Sequence, residues 1–257
     1  MQLKFDKYQG TGNDFVIIDN RELIFDKSNI ELVAEICDRK FGVGADGLIL
    51  IENHSEFDFE LVYFNADGTK SFCGNGSRCG VSFVHKLGII SNETTFMAID
   101  GVHEAKIIEG EVHLKMGDVS EMEIDKDYFY LNTGSPHYIK YEDNITEMDI
   151  VSLAKEIRYN DRFKAEGTNV NFVEKGNDSL KMRTYERGVE DETLSCGTGA
   201  TAVALSASVK LNMSSPIKIE VVGGELKIQF TKINDSTFEG IWLIGAATFV
   251  FEGEIKI

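Results

Sequence analysis

Four short landmarks of the 257-residue chain recur in its second half in the order in which they occur in the first. The paired positions, 121 to 124 residues apart, are Thr11 and Thr133, Phe41 and Ala165, Phe64 and Tyr185, and Cys73 and Cys196. A chain that repeats at this distance is expected to fold as two similar halves, each of ordinary domain size. We therefore predict two pseudo-symmetric α+β domains, residues 1–118 and 119–257, with the strand near 247–257 returning to the first.

Pseudo-symmetry has a chemical consequence for Cys73 and Cys196. If the halves face each other about a pseudo-twofold axis, equivalent residues meet in the cleft between them. Inversion of a carbon stereocentre needs such an arrangement, because one group removes a proton from one face and another delivers a proton to the other. A buried structural role remains the alternative for both cysteines, since free cysteine behaves as a small hydrophobe.

Each of these cysteines opens a Cys-Gly-x-Gly segment just before a predicted helix. The free N–H groups and positive end of a helix bind a carboxylate and favour thiolate over thiol. The candidate main-chain donors are Gly74, Asn75, Gly197 and Thr198. A helix end contributes only ~0.3–1 kcal/mol in most cases, so a further partner is needed. His137 and Glu186, in nearby motifs, are the candidates.

The two other cysteines, Cys37 and Cys79, lie on apolar stripes of predicted helices, which indicates core positions. No C-x-x-C pair occurs, and the five histidines lack the spacing of metal ligands. We therefore predict reduced thiols and no metal or other cofactor.

The charge balance limits the class of partner. The chain has 43 acidic and 26 basic residues and a formal net charge of −17. Nucleic acids and anionic membranes call for basic surfaces, so neither is expected. No run approaches the ~20 apolar residues of a membrane span, and the first residues lack the apolar segment of a secretory leader. We expect a cytoplasmic protein that acts on a small molecule.

Several helices can be located from local signals. A capping box that begins at Ser28 predicts a helix to about residue 39. Further helices are predicted from Cys73 to Gly88, near residues 149–158 and from about residue 200 to 211. The segment Gly42 to Gly47 matches G-x-G-x-x-G, but a helix precedes it and a strand follows it. This order is the reverse of a dinucleotide site, which we exclude.

Taken together, the motifs resemble those of diaminopimelate epimerases. The stretches that carry the resemblance are Gly12-Asn13-Asp14-Phe15, Asn65-Ala66-Asp67-Gly68, Cys73-Gly74-Asn75-Gly76 with Arg78 and Cys79, Pro136-His137, Thr168-Asn169-Val170, Glu186-Arg187-Gly188 and Cys196-Gly197-Thr198-Gly199. They follow the family's order from residue 12 to residue 199, and their combination is highly specific.

The resemblance implies an isomerase that interconverts LL- and meso-diaminopimelate without pyridoxal phosphate or metal, in lysine and peptidoglycan precursor biosynthesis. It implies a diaminopimelate-epimerase-like fold with its active site in the cleft, and a homodimer. Cys73 and Cys196 would be the acid/base pair, supported by His137 and Glu186. The implied side chains for substrate binding are Asn13, Asn65, Asn169, Glu186 and Arg187, beside the four main-chain donors named above.

The chain departs from the family pattern at three positions. Gly47 stands where some members carry glutamine, and Ser135 replaces a frequent asparagine. Both changes concern the binding of the far end of the substrate. Phe251 stands where a tyrosine linked to the dimer contact is often found.

Four other functions remain open at this point. A racemase or epimerase of another amino acid, such as proline or hydroxyproline, would keep both cysteines but not the set of Asn13, Asn65, Asn169 and Arg187. An isomerase without thiol chemistry would not need the cysteines. A non-catalytic amino-acid-binding module would not exchange the substrate α-hydrogen with solvent. A thiol redox protein would cycle Cys73 and Cys196 through a disulfide.

Overall fold

The protein is described by a computed structural model that covers residues 2–256. Its strands are β1 (Gln2–Gly10), β2 (Asn13–Asp19), β3 (Gly47–Glu52), β4 (Glu60–Asn65), β5 (Glu93–Ala98), β6 (Gly101–Ile108), β7 (Glu111–Lys115), β8 (Met122–Ile124), β9 (Phe129–Asn132), β10 (Pro136–Tyr141), β11 (Asn169–Lys175), β12 (Leu180–Glu186), β13 (Asp191–Thr193), β14 (Ile217–Val221), β15 (Gly224–Lys232), β16 (Phe238–Gly245) and β17 (Thr248–Lys256). Its helices are α1 (Ile30–Cys37), α2 (Gly74–Lys86), α3 (Ile150–Arg158) and α4 (Gly197–Lys210), and a 3₁₀ turn spans Ile145–Glu147. Across residues 2–256, no helix is long and apolar enough to cross a membrane.

The chain forms two compact units. One runs up to Leu114 and takes in the chain from Gly245 onward, and the other spans Lys115–Ile244. The last strand belongs to the first unit because β17 pairs antiparallel with β1 along nearly its whole length. The domain boundary between residues 118 and 119 rests on the repeat alone and stays a prediction.

In the first unit, β1 is antiparallel to β2, β2 is parallel to β3, and β3 is antiparallel to β4. Strand β3 is buried along its whole length because a helix covers each of its faces. Leu48 and Leu50 lie in one core cluster with Val33 and Ile36 of α1. Ile49 points the other way, toward Gly76 of α2. This packing fixes the start of α2 against β2 and β3.

The second unit repeats this design. Strand β9 is antiparallel to β10, β10 is parallel to β11, and β11 is antiparallel to β12. Helix α3 lies between β10 and β11 in the chain, as α1 lies between β2 and β3, and α4 follows the strands as α2 does. The predicted α+β fold with an internal repeat is therefore confirmed.

Two helix ends differ from the prediction. Helix α1 is capped by Asn29, whose side-chain oxygen accepts the Leu32 N–H at 3.1 Å, and not by Ser28. It ends at Cys37 because the Asp38 carboxylate accepts the N–H groups of residues 40 and 41, which turns the chain away. Helix α4 begins at residue 197, directly after the cysteine, and not at residue 200.

Cys37 and Cys79 are buried, as predicted. Burial raises the pKa of the Cys37 thiol to about 11 and that of the Cys79 thiol to about 12. Both are therefore neutral thiols of the core at physiological pH.

Candidate active site

Cys73 and Cys196 are the residues that precede α2 and α4, with almost the same backbone conformation. Their φ and ψ angles are −133° and 110° for Cys73, and −129° and 109° for Cys196. The Cys73 Sγ accepts the Gly76 N–H at 3.4 Å. Cys73 is partly exposed, whereas Cys196 is only 7% exposed. Each sulfur thus lies at a helix N-terminus, where unpaired N–H groups and the helix dipole favour an anion.

The main-chain candidates occupy matching places in the two halves. Gly74 and Asn75 are the first two residues of α2, and Gly197 and Thr198 are the first two of α4. N–H groups in a first helical turn have no partner within the helix, so they can donate to a bound carboxylate.

Asn13 and Asn75, both predicted to bind substrate, are bonded to each other in the first half. The Asn75 Nδ2 donates to the Asn13 Oδ1 at 2.6 Å, and the Asn13 Nδ2 donates to the Asp46 carboxylate at 3.0 Å. Arg78 donates to the Asn75 Oδ1 at 3.0 Å. Because a guanidinium only donates and a carboxylate only accepts, the orientation of both amides is fixed.

Arg78 is a buried cation that belongs to the same hydrogen-bond network as Asn13 and Asn75. It is fully buried, and its second terminal nitrogen donates to the Thr11 hydroxyl at 3.0 Å. Burial lowers the pKa of its guanidinium. From the sequence alone Arg78 has no assigned role: a charged residue on the buried face of a helix indicates that a buried partner exists, but does not identify it.

Asn65, at the end of β4, is held by the turn that follows it. Its Nδ2 donates to the Thr69 Oγ1 at 2.9 Å, and its Oδ1 accepts the Ser71 hydroxyl at 3.1 Å. Asp67 in turn accepts the Thr69 N–H and hydroxyl. These contacts account for Asn65 as a turn residue, and its role in substrate binding stays a prediction.

His137 lies on β10 and is fully buried. Its Nε2 is 2.9 Å from the Thr198 hydroxyl, and its Nδ1 is 3.1 Å from the Asn171 amide. Burial, followed by the positive charge of Arg187, lowers the pKa of His137 to about 3. The imidazole is therefore neutral at physiological pH. It acts as a hydrogen-bonding group and does not serve as a proton donor in its charged form.

The low pKa of His137 predicts a pH-dependent stability. An unfolded histidine titrates near ~6.5, so the contribution of the neutral buried ring is complete above that pH and is lost as the pH falls toward 3. Between about pH 7.5 and about pH 5, the free energy of unfolding of the native chain should fall by about 2 kcal/mol more than that of His137→Gln. Urea unfolding at the two pH values measures both losses, and equal losses would contradict the assignment.

Asn169, Glu186 and Arg187 come together where β11 begins and β12 ends. The Asn169 Oδ1 accepts the Arg187 N–H at 2.8 Å, and its Nδ2 donates to the Ser135 hydroxyl at 2.7 Å and to the Pro136 carbonyl. The Glu186 carboxyl is largely buried, and burial raises its pKa. Arg187 is exposed and donates to the Glu166 carbonyl. Ser135 thus supports Asn169, which gives this departure from the family pattern a structural role.

Steric contacts explain why residue 47 is a glycine. A Cβ atom there would lie 2.4 Å from the Tyr63 ring and 2.5 Å from the Phe64 carbonyl oxygen, far inside van der Waals contact. The Tyr63 ring packs edge-on against Phe15, with ring centroids 6.0 Å apart. The space that a longer residue at position 47 would need is therefore filled by Tyr63.

Within residues 2–256, no three His, Cys, Asp or Glu side chains are grouped so that they could hold a metal ion. The expectation of a reaction without metal or other cofactor stays a prediction.

The chain matches the family model described as "Diaminopimelate epimerase" over residues 5–122 and 129–250. It is 52% identical over 258 residues to the diaminopimelate epimerase of Flavobacterium psychrophilum, an alignment that covers 98% of this chain and 100% of that one.

Solved structures with low sequence identity to this chain share its fold. A Bacillus anthracis phenazine biosynthesis protein of the PhzF family has a TM-score of 0.75 at 14% identity, with all of both chains covered. A probable proline racemase from Agrobacterium radiobacter has a TM-score of 0.68 at 14% identity, with 99% of this chain and 93% of that chain covered. At this identity, the likeness concerns the fold alone.

Proposed function

Since the chain belongs to the diaminopimelate epimerase family, we propose that it interconverts LL- and meso-diaminopimelate with Cys73 and Cys196 as the acid/base pair. The observation that carries the proposal is the pair of cysteines with nearly identical backbone angles, each at a helix N-terminus of one half of a repeated fold. The identity of 52% to a diaminopimelate epimerase, over nearly the whole chain, supports this choice of substrate.

In the proposed reaction, one sulfur is a thiolate and removes the α-hydrogen of the substrate as a proton. The other sulfur is a thiol and delivers its proton to the opposite face of the same carbon. Negative charge develops on the α-carboxylate as the first proton leaves. The first-turn N–H groups of α2 and α4 can stabilise that charge, because they are fixed in place before the reaction.

The side chains predicted to bind substrate suit a molecule with two amino-acid ends. Arg187 can pair with a carboxylate and Glu186 with an ammonium group. Asn13, Asn65 and Asn169 each offer both a donor and an acceptor. We assign these five residues to substrate binding, with Gly74, Asn75, Gly197 and Thr198 as donors to the α-carboxylate. His137 supports Cys196 through the Thr198 hydroxyl, which lies 2.9 Å from the His137 Nε2 and 3.4 Å from the Cys196 Sγ.

The test is incubation of the purified protein with LL-diaminopimelate in D₂O, with stereochemistry and label followed together by NMR and chiral chromatography. We expect meso-diaminopimelate that carries deuterium at the inverted α-carbon. Proline and hydroxyproline serve as comparison substrates, and turnover of these without turnover of diaminopimelate would overturn the proposal. Binding without α-hydrogen exchange would indicate an amino-acid-binding module.

We further propose that the enzyme is a cytoplasmic homodimer. The support for the dimer is the family resemblance together with three exposed apolar side chains on β17, Phe249, Val250 and Phe251. Phe251 also packs edge-on against Phe5 of β1, with centroids 6.0 Å apart. The support for the location is the biosynthetic role that the resemblance implies.

A further inference from the structure

Asn171 is a buried polar residue in the middle of β11 that the proposed mechanism does not use. Its Nδ2 lies 3.1 Å from the Tyr138 carbonyl oxygen and 3.1 Å from the His137 Nδ1. Its Oδ1 accepts the Thr184 hydroxyl at 3.0 Å. A carbonyl oxygen only accepts, so the nitrogen of the amide must face both Tyr138 and His137.

This orientation determines the tautomer of His137. Because Asn171 donates to it, the Nδ1 carries a lone pair, and the single proton of the neutral ring resides on the Nε2. The Nε2–H therefore donates to the Thr198 hydroxyl oxygen, 2.9 Å away.

The direction of the next hydrogen bond follows from the first two. The Thr198 hydroxyl has one hydrogen, and its oxygen already accepts from His137. Its other partner is the Cys196 Sγ at 3.4 Å, so the hydroxyl hydrogen can turn to the sulfur. A hydrogen bond donated to a sulfur favours its thiolate form.

Among residues 2–256, this series of hydrogen bonds from an asparagine through a histidine and a threonine to a cysteine has no equivalent in the first half of the repeat. In the parallel strand pairs, His137 is aligned with Asn169 as Phe15 is aligned with Gly47. The positions that correspond to His137 and Asn171 are thus Phe15 and Ile49, both apolar, and both lie 3.4 Å from the place of a Gly76 Cβ. A change at Asn171 should therefore affect Cys196 and spare Cys73.

We infer that Asn171 is a positioning residue: by fixing the His137 tautomer, it directs the Thr198 hydroxyl hydrogen to Cys196 and favours the thiolate of that cysteine in the substrate-free enzyme. The catalytic meaning of this inference rests on the proposed function, but the hydrogen-bond directions do not. Arg187, the charged group that acts on the pKa of His137, remains unchanged in the variants used below.

The first test is the ¹⁵N NMR spectrum of the full-length protein with labelled histidine, assigned by the signals lost in His137→Gln. We expect an unprotonated Nδ1 and a protonated Nε2 for His137 at neutral pH. In Asn171→Asp, the carboxylate can only accept, so the proton should move to the Nδ1. A native His137 with its proton on the Nδ1 would overturn the inference, even if the Asp variant does not fold.

The second test is the rate of iodoacetamide alkylation at neutral pH, read for each cysteine by peptide mass spectrometry. In Asn171→Asp, alkylation of Cys196 should fall by about tenfold, as expected from loss of a hydrogen bond to an ionised acceptor, and that of Cys73 should change less than about twofold. Asn20→Asp is the matched control, because Asn20 is a fully buried amide of the first half. An unchanged rate at Cys196, or an equal fall at both cysteines, would refute the inference.

Both tests are made without substrate. If the protein failed to epimerise diaminopimelate but showed the expected tautomer and alkylation rates, the proposed function would fail and the role of Asn171 at Cys196 would stand.

Discussion

We expect Cys73→Ala and Cys196→Ala each to lower the rate of interconversion of LL- and meso-diaminopimelate by at least about 10³-fold in both directions. The reason is that each face of the α-carbon needs its own proton-transfer group, and a positioned acid or base contributes about 10²–10⁴-fold. The measurement is the initial rate in each direction at saturating substrate. Cys37→Ala is the matched control, because Cys37 is a buried thiol of the core whose pKa is raised to about 11.

The remaining sulfur in each variant gives a second measurement. A single sulfur can remove a proton from one face and return a deuteron to the same face, which exchanges the α-hydrogen without inversion. In D₂O, each alanine variant should therefore exchange only one of the two isomers, and the two variants should exchange opposite ones. This pattern would assign each cysteine to a face. Near-normal epimerisation by either variant would contradict the two-base scheme.

The repeat is the part of the fold that local sequence signals predict well. Helical spacing and glycine-rich turns recur at a constant offset, and each landmark depends only on residues close in the chain. The positions of Cys73 and Cys196 at helix starts follow from the same signals, because Cys-Gly-x-Gly opens a helix in both halves. Strand pairing is different. The pairing of β17 with β1 joins residues about 250 apart in the chain, and from the sequence it was only an expectation.

The roles of two interior polar residues, Asn171 and Arg78, could not be predicted from the sequence for a physical reason. The hydrogen-bond partners of these residues are distant in the chain. Asn171 contacts Thr184 and Tyr138, and Arg78 contacts Thr11. No local pattern distinguishes a buried amide on a strand from a solvent-facing one. The direction of a hydrogen bond is set by the chemistry of both partners, so it can be assigned only once the partners are known.

The role of His137 also needed the folded structure. The sequence places a histidine in a motif near the cysteines, which makes it a candidate for the further partner that favours a thiolate. Complete burial and the nearby Arg187 instead lower its pKa to about 3 and hold it neutral. Residue type alone predicts that a group can titrate, whereas burial decides whether it does so in the physiological range.

Gly199→Ala and Gly76→Ala should have unequal effects, although the two glycines occupy equivalent positions in the repeated motif. A Cβ at position 199 would lie 2.7 Å from the Asn171 Oδ1 and 3.3 Å from the Cys196 Sγ. Asn171 cannot retreat, because Thr184, His137 and Tyr138 hold its amide. A Cβ at position 76 would lie 3.4 Å from its nearest neighbours, in ordinary contact with apolar side chains.

We therefore expect Gly199→Ala to lower kcat for epimerisation by about 10²-fold, since small displacements of reacting groups cost about that much. Gly76→Ala should retain kcat within about fivefold, because alanine favours a helix and the N–H that donates to the Cys73 Sγ is kept. The measurement is kcat for both variants, with thermal unfolding to show that each is folded. Equal losses of kcat in the two variants would mean that the contact with Asn171 does not make position 199 more sensitive than position 76. A normal rate in Gly199→Ala would mean that Asn171 or the sulfur of Cys196 can move aside without consequence for the reaction.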